Sequence, residues 1–293
     1  MQKLKVCILG TGNIGTDLLI KILRSEYIEC SLFAGRNLNS KGMSKALSLG
    51  VPLSDKGIDA IIAEPNCCDL VFDATSALSH REHAPILEEL GKIVIDMTPA
   101  KVGSFSIPSV NLKTSIQSKN LNMITCGGQA SIPMAYAISQ VLENISYIEV
   151  VSTISSKSAG PGTRINIDEY IETTQKALIE FSMCSNVKTI INLNPALPSI
   201  DMHTTIYVQT DSPNMNKVKD SVFQMLDKIK SYVPGYDIRV GPEYDNGIIV
   251  LTIRVRGMGD YLPKYAGNLD IINCAAIAVA EEFAKNRMKG IIS

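Results

Sequence analysis

Cys126 lies in the run Asn122-Met-Ile-Thr-Cys126-Gly127-Gly128-Gln129-Ala130-Ser-Ile132-Pro133, where an apolar strand breaks on two glycines and a helix follows almost at once. The amide groups and the positive end of the macrodipole at a helix start favour a thiolate, the reactive form of cysteine. That setting suits a nucleophile. The competing reading is a buried structural cysteine beside a glycine turn.

A second chemical signal is Gly10-Thr11-Gly12-Asn13-Ile14-Gly15, which fits G-x-G-x-x-G between a strand and a helix. Gly10, Gly12 and Gly15 answer to a tight turn, a close approach of pyrophosphate to the backbone, and close packing of helix on strand. A nicotinamide dinucleotide is the expected ligand. Where a carboxylate would read the ribose of NAD, the chain has Ala34-Gly35-Arg36-Asn37. Arg36 can form a charge-assisted fork with a 2′-phosphate, so the cofactor is NAD or NADP with a lean toward NADP. A solvated surface arginine is the other reading of Arg36.

The elements that must carry these groups fall into two patterns. Strands are expected at residues 5–9, 30–34, 70–73 and 93–96, with helices at 14–23, 44–49 and 85–90 between them. Such alternation argues for a parallel, doubly wound sheet of the Rossmann type. After Cys126 the strands lengthen, at 145–155, 189–193, 204–209 and 248–256, with helices at 132–142, 167–184 and 215–232. That pattern is an α+β substrate or dimerisation domain with a mixed sheet. The fold class is α/β: a Rossmann domain over residues 1–130, a catalytic and dimerisation domain over 131–267, and a C-terminal helix, 268–293, returning to the first.

Composition narrows the function classes. Lys and Arg total 28 against 29 Asp and Glu, without a basic stripe carrying interleaved aromatics, so nucleic acid is not an expected partner. The N-terminus lacks the apolar run of a signal peptide, and no stretch approaches the ~18 apolar residues of a membrane helix. A soluble, cytoplasmic protein without membrane association is expected. Seven cysteines without paired metal spacing, and His80, His83 and His203 as the histidines, argue against a metal site.

Six segments carry a resemblance. They are Lys3-Leu-Lys-Val with Gly10 to Asp17, Val71-Phe-Asp-Ala-Thr-Ser76, Asn122 to Pro133, Ile154 to Arg164, Tyr232-Val-Pro-Gly-Tyr236, and Tyr261-Leu-Pro-Lys-Tyr-Ala-Gly-Asn-Leu-Asp270. In this order they resemble the acylating acetaldehyde dehydrogenase family, enzymes that oxidise a short aldehyde to acyl-coenzyme A with NAD(P), and the expected reaction is that oxidation or its reverse, the reduction of acyl-coenzyme A. The resemblance implies that Cys126 forms the acyl-enzyme and that Thr11, Gly12, Asn13 and Ile14 cradle the dinucleotide. It implies that Ser158, Ala159, Gly160, Pro161, Gly162, Thr163, Arg164, Ile165 and Asn166 lie against the cofactor, and that Asn268 holds the nicotinamide carboxamide. It also implies a homodimer or higher homo-oligomer, coenzyme A as cosubstrate, and an aldolase partner.

Two departures stand out. Where the family has an Asp that assists the cysteine, this chain has Thr204, preceded by His203. Threonine is no base near neutral pH, whereas an imidazole is, so His203 is the candidate base, with a surface histidine as the alternative. Between Tyr236 and Ile248, where the family has an extra loop and strand, a short link with a hairpin turn is expected. That shortening makes the aldolase partner doubtful and points to a divergent member. The rival functions are a semialdehyde or acyl-phosphate reductase, a non-acylating aldehyde dehydrogenase, and a dinucleotide-binding protein without catalysis.

Overall fold

Short apolar runs separated by helical patterns give, over residues 4–122, β1 (Leu4–Leu9), α1 (Asn13–Ile22), β2 (Ile28–Ala34), α2 (Lys41–Ser48), β3 (Leu53–Ser54), α3 (Asp59–Ala63), β4 (Leu70–Asp73), α4 (Ala77–Glu89), β5 (Ile93–Asp96), β6 (Ser104–Phe105), α5 (Pro108–Ser115) and β7 (Asn120–Asn122) in a computed structural model that describes residues 3–291. The seven strands form one parallel sheet in the order β3-β2-β1-β4-β5-β7-β6. The order reverses between β1 and β4, the switch point outside which α/β sheets bind ligands. Strands β1 and β4 read as continuous apolar runs because both faces are covered: Val6, Cys7, Ile8, Leu70, Val71 and Phe72 have no exposed surface.

The remaining elements are α6 (Cys126–Ser139), β8 (Tyr147–Ser155), α7 (Pro161–Ile165), α8 (Ile167–Ser182), β9 (Val187–Asn194), β10 (Met202–Gln209), α9 (Met215–Lys230), β11 (Tyr236–Asp245), β12 (Ile248–Val255) and α10 (Gly267–Met288). Their sheet is mixed, in the order β11-β12-β10-β8-β9, with β8 and β9 parallel and the other pairs antiparallel. On β8, β10 and β12 burial alternates residue by residue, as a sheet covered on one face requires. The buried face holds Ile148, Val150, Ile154, Ile206, Val208, Leu251 and Ile253, and α6 packs on β8 and β10. Ser152 and Thr204 interrupt this apolar face.

The chain divides into two units. The first comprises the residues up to Met123, Asp260–Leu262, and the chain from Asn273 onward; the second comprises Ile124–Gly259 and Pro263–Ile272. The crossing into the second unit thus falls before Cys126 rather than after residue 130. Within the first unit the last helical segment is tied to the N-terminal one. Asn273 Nδ2 donates to Ile14 O (3.2 Å) and Asp17 Oδ2 (2.9 Å), and Ser25 Oγ donates to Glu281 Oε1 (2.6 Å). Lys21 bridges Asp17 (3.1 Å) and Asp260 (2.7 Å). No helix among the described residues is long and apolar enough to cross a membrane.

The sequence reading placed no element at β3, α3, β6 or α5, and three further elements differ from it. Helix α4 starts at Ala77, not near Pro85, because the Ser76 side chain caps Ser79 N and the helix runs on through the proline. Helix α6 starts at Cys126 itself, again with a proline, Pro133, inside it. The stretch expected to be a short link is the strand β11, ten residues long, with register shifts against β12 that absorb the Gly241-Pro242 step. The hairpin turn is Asn246-Gly247, both at positive φ (49° and 83°), between the paired residues Asp245 and Ile248. That is the primed geometry an Asn-Gly pair favours.

Candidate active site

The dinucleotide loop belongs to the first unit. Gly10 has φ 105°, and a β-carbon there would fall 2.5 Å from Ala74 O; one on Gly15 would fall 1.9 Å from Gly10 O. Gly12 caps α1 without a side-chain hydrogen bond, and a β-carbon on it would meet nothing within 4 Å. No side chain caps the first amides of this ten-residue helix, and a helix start of that kind is the arrangement that receives a pyrophosphate. Thr11 closes the floor: β-carbons on Gly35 and Gly42 would run into its side chain (2.6 Å) and its carbonyl (2.2 Å). Asn13 is exposed and Ile14 half-buried at the helix start, and Arg36 is exposed two residues beyond the end of β2. These residues fit a nicotinamide dinucleotide.

At the C-terminal ends of β4 and β5 sits a network that the sequence reading did not assemble. Asp73 Oδ2 meets both His80 Nδ1 (3.0 Å) and His83 Nδ1 (2.8 Å), and Thr75 N donates to Asp73 Oδ1 (3.1 Å). His80 Nε2 lies 3.5 Å from Asp96, which accepts from Thr98 N (2.7 Å) and Asn122 Nδ2 (2.6 Å). Burial opposes ionisation of Asp73, yet the two histidines hold it well below the usual carboxylate range. Burial pushes Asp96 up to about 7, against the pull of His80. His80 is raised, because Asp73 and Asp96 outweigh its own desolvation.

In the second unit Cys126 is the first residue of α6. Thr125 is its cap: the residue is extended, and its Oγ1 accepts from Gly128 N at 2.9 Å. Just before it Ile124 adopts φ 64°, a left-handed conformation that costs a β-branched residue on the order of 1–3 kcal/mol. The two glycines after Cys126 are both dictated by neighbours. A β-carbon on Gly128 would lie 2.6 Å from Ile124 Cγ2, and one on Gly127 would lie 1.9 Å from Tyr170 Oη and 3.0 Å from Ser152 Oγ.

Hydroxyls gather around the start of α6. Ser152 Oγ and Thr204 Oγ1 are 3.0 Å apart, and Thr125 Oγ1 and Thr174 Oγ1 are 2.7 Å apart. Tyr170, Ser152 and Thr204 are all buried. Cys126 is half-buried, and its crowded setting pushes the thiol up to about 11. The Tyr170 phenol and the amides of Cys126 and Gly127 pull the other way without prevailing. This corrects the expectation of a resting thiolate: desolvation outweighs the helix start.

His203 is separated from the thiol. It precedes Thr204 on β10, so its side chain takes the half-exposed face of the sheet, opposite Ser152, Thr204 and α6, with Nδ1 3.1 Å from Asp201 O. Thr204 rather than His203 is the residue of that pair on the cysteine's side. The segment from Ser158 to Asn166 links β8 to α8, the helix that carries Tyr170. Ser158 and Ala159 are buried, Ser158 Oγ donates to Ser155 O (2.9 Å), and Gly160 caps the short α7 that Pro161 begins. Among the described residues, nothing beyond the local chain lies within 4 Å of where β-carbons on Gly160 and Gly162 would stand. Thr163 is half-buried and Ile165 exposed, while Asn166 Nδ2 donates to Gly162 O (2.7 Å). Arg164 holds the loop itself, donating to Ala159 O (3.1 Å), Ser156 O (3.1 Å) and Ser156 Oγ (2.9 Å). Asn268, second residue of α10, is 1% exposed, and neither atom of its amide has a protein partner among the described residues. A buried amide left open in this way fits a group that receives a ligand carboxamide.

Tyr170 and Ser152 escaped the sequence reading. The available signal was the polar pair, Ser152 and Thr204, in the inward register of two otherwise apolar strands.

Comparison with known proteins matches residues 126–263 to the family model described as prokaryotic acetaldehyde dehydrogenase, dimerisation, and residues 5–111 to that described as semialdehyde dehydrogenase, NAD binding domain. An acetaldehyde dehydrogenase of Spirochaeta aurantia is 58% identical over 97% of this chain and 96% of its own length. One of Pectobacterium atrosepticum is 56% identical over 98% and 97%. Among solved structures, an aspartate semialdehyde dehydrogenase with NADP from Candida albicans superposes with a TM-score of 0.69 at 14% identity, covering 99% of this chain and 100% of that one. At that identity the likeness concerns the fold, a Rossmann-type domain joined to a mixed-sheet domain.

Proposed function

We propose that this chain, which belongs to the acetaldehyde dehydrogenase family of oxidoreductases, oxidises a short aldehyde such as acetaldehyde to acyl-coenzyme A through a covalent intermediate on Cys126. The observation that carries the reading is Cys126 at the first position of α6, over two glycines that its neighbours require.

The sulfur adds to the aldehyde carbon: a C–S bond forms, the C=O π bond opens onto oxygen, and the thiol proton is released. The N–H groups at the start of α6 are donors suited to that oxygen. A bound nicotinamide dinucleotide supplies the hydride acceptor. Loss of hydride from carbon, as the lone pair on that oxygen re-forms the C=O π bond, leaves a thioester on Cys126. The thiol of coenzyme A then attacks it, the Cys126–carbonyl bond breaks, and the cysteine sulfur recovers a proton. The first unit holds the dinucleotide through Gly10, Thr11, Gly12, Asn13, Ile14 and Gly15, and the family resemblance alone assigns Asn268 and residues 158–166 to the cofactor. Arg36, with no carboxylate at the end of β2, favours NADP.

A homo-oligomer built on residues 126–263 follows from their match to a dimerisation model. We place the enzyme in the cytoplasm, where its seven thiols stay reduced.

Intact-mass analysis after incubation with acetaldehyde and NAD(P), without coenzyme A, tests the reading. An acyl group is expected on Cys126 and none on Cys126→Ser. Release of the acyl group by coenzyme A, against phosphate or water, separates the acylating reaction from its rivals. Steady NAD(P)H production in water alone would refute the acylating assignment.

A further inference from the structure

Tyr170 stands at the reacting sulfur without a task in the scheme above. Its ring is buried at 5% exposure, and Oη overhangs the backbone of Gly127, next to Cys126. The hydroxyls nearby have partners of their own, Ser152 Oγ with Thr204 (3.0 Å) and Thr125 Oγ1 with Gly128 N (2.9 Å) and Thr174 (2.7 Å), and both also bear on the phenol. Tyr170 Oη completes no hydrogen bond among the described residues, and a buried O–H without an acceptor is costly. The fold keeps this donor at the helix start that carries the sulfur, where phenol and thiol act on each other.

We propose that Tyr170 is a catalytic residue whose phenol O–H donates a hydrogen bond to the Cys126 sulfur as it ionises, holding its charge until it attacks the carbonyl carbon. The inference rests on Cys126 being the nucleophile of the proposed function. The groups acting on Cys126 are Tyr170 and the amides of Gly127 and Cys126 itself, and Tyr170 is the only titratable side chain among them. His203 faces away, and Thr204 is neutral. The phenol is a donor rather than a base, since burial and the neighbouring sulfur keep it protonated well above its ordinary range. No bond other than the hydrogen bond is made or broken by the tyrosine.

Tyr170→Phe removes the oxygen alone. Iodoacetamide addition to Cys126, followed on the peptide that carries it from about pH 6 to about pH 10, is expected to slow about tenfold at each pH, as a thiol pKa about one unit higher requires. The kcat for aldehyde should fall with it, while the KM for the dinucleotide and the melting temperature should not worsen. An alkylation profile superimposable on that of the unaltered enzyme overturns the proposal. Should the variant fail to fold, full-length enzyme made with 3-fluorotyrosine, a more acidic phenol of nearly the same shape, is expected to alkylate faster at each pH, and an unchanged rate overturns the proposal equally. If unaltered Cys126 takes no acyl group from aldehyde, the proposed function falls while the alkylation comparison still judges the tyrosine. If Cys126 is acylated and Tyr170→Phe matches the unaltered enzyme, only the role of the tyrosine falls.

Discussion

Tyr170 Oη occupies the volume that a side chain on Gly127 would need, 1.9 Å from the ideal β-carbon position. Gly127→Ala must therefore displace the phenol or the start of α6. Overpacking of this kind costs about 1–3 kcal/mol, partly offset by the better helix propensity of alanine, about 1 kcal/mol. We expect a lower urea midpoint and a loss of turnover of at least tenfold. The double variant Gly127→Ala/Tyr170→Phe should regain part of the stability, because the closest atom is gone. Equal midpoints for the two would contradict the clash.

The network of Asp73, His80, His83 and Asp96 makes a signed prediction about pH. Folding raises the His80 pKa, so its contribution is complete below ~6.5 and is lost as pH rises through the folded value. Asp73 runs the other way: its contribution holds above the usual ~3.8 and is lost as pH falls through the depressed value. Asp96, pushed up to about 7, favours the folded state only while protonated, so its share is lost as pH rises from about 3.8 to about 7. Chain stability should then decline from about pH 4 to about pH 7 through Asp96, and further as pH rises above ~6.5 through His80, the second part being absent in His80→Gln. With three histidines in the chain, proton NMR can follow each imidazole, and the line lost in His80→Gln should titrate above ~6.5. A midpoint at or below that value would show that the two carboxylates do not govern the ring.

His203→Ala tests the strand parity of β10. With its side chain on the face away from α6, turnover should stay within about twofold of the unaltered enzyme and the pH profile of kcat should not move. A loss of about a hundredfold would restore the histidine as the base.

Arg36→Ala tests the cofactor lean. Losing a charge-assisted contact with a 2′-phosphate should raise the KM for NADP about tenfold and leave that for NAD nearly unchanged. An unaltered enzyme that prefers NAD by tenfold or more would reject the assignment before any mutation is made.

What could be read from the chain alone was local. The dinucleotide loop was legible because Gly10 and Gly15 answer to contacts within one strand-turn-helix unit and to the neighbouring Ala74 carbonyl. The starts of α4 and α6 were set too late, because Pro85 and Pro133 resemble first-turn residues whereas the caps at Ser76 and Thr125 lie further upstream. The state of the thiol was beyond local reading. A helix start is visible in sequence, but the desolvation that outweighs it comes from α8, β8 and β10, far along the chain. Tyr170 was hidden for the same reason, and only the inward hydroxyls Ser152 and Thr204 hinted that this part of the interior is polar.

The nucleotide-holding unit is assembled from three stretches of chain, and Asn273 and Glu281 bond back to Ile14, Asp17 and Ser25. A ribosome delivers those closing residues last. Strands β1 to β7 must therefore wait, incompletely braced, while the whole mixed-sheet unit is synthesised, so a nascent chain stopped before residue 273 should present an N-terminal unit open to proteases even though every glycine of its fingerprint is already in place.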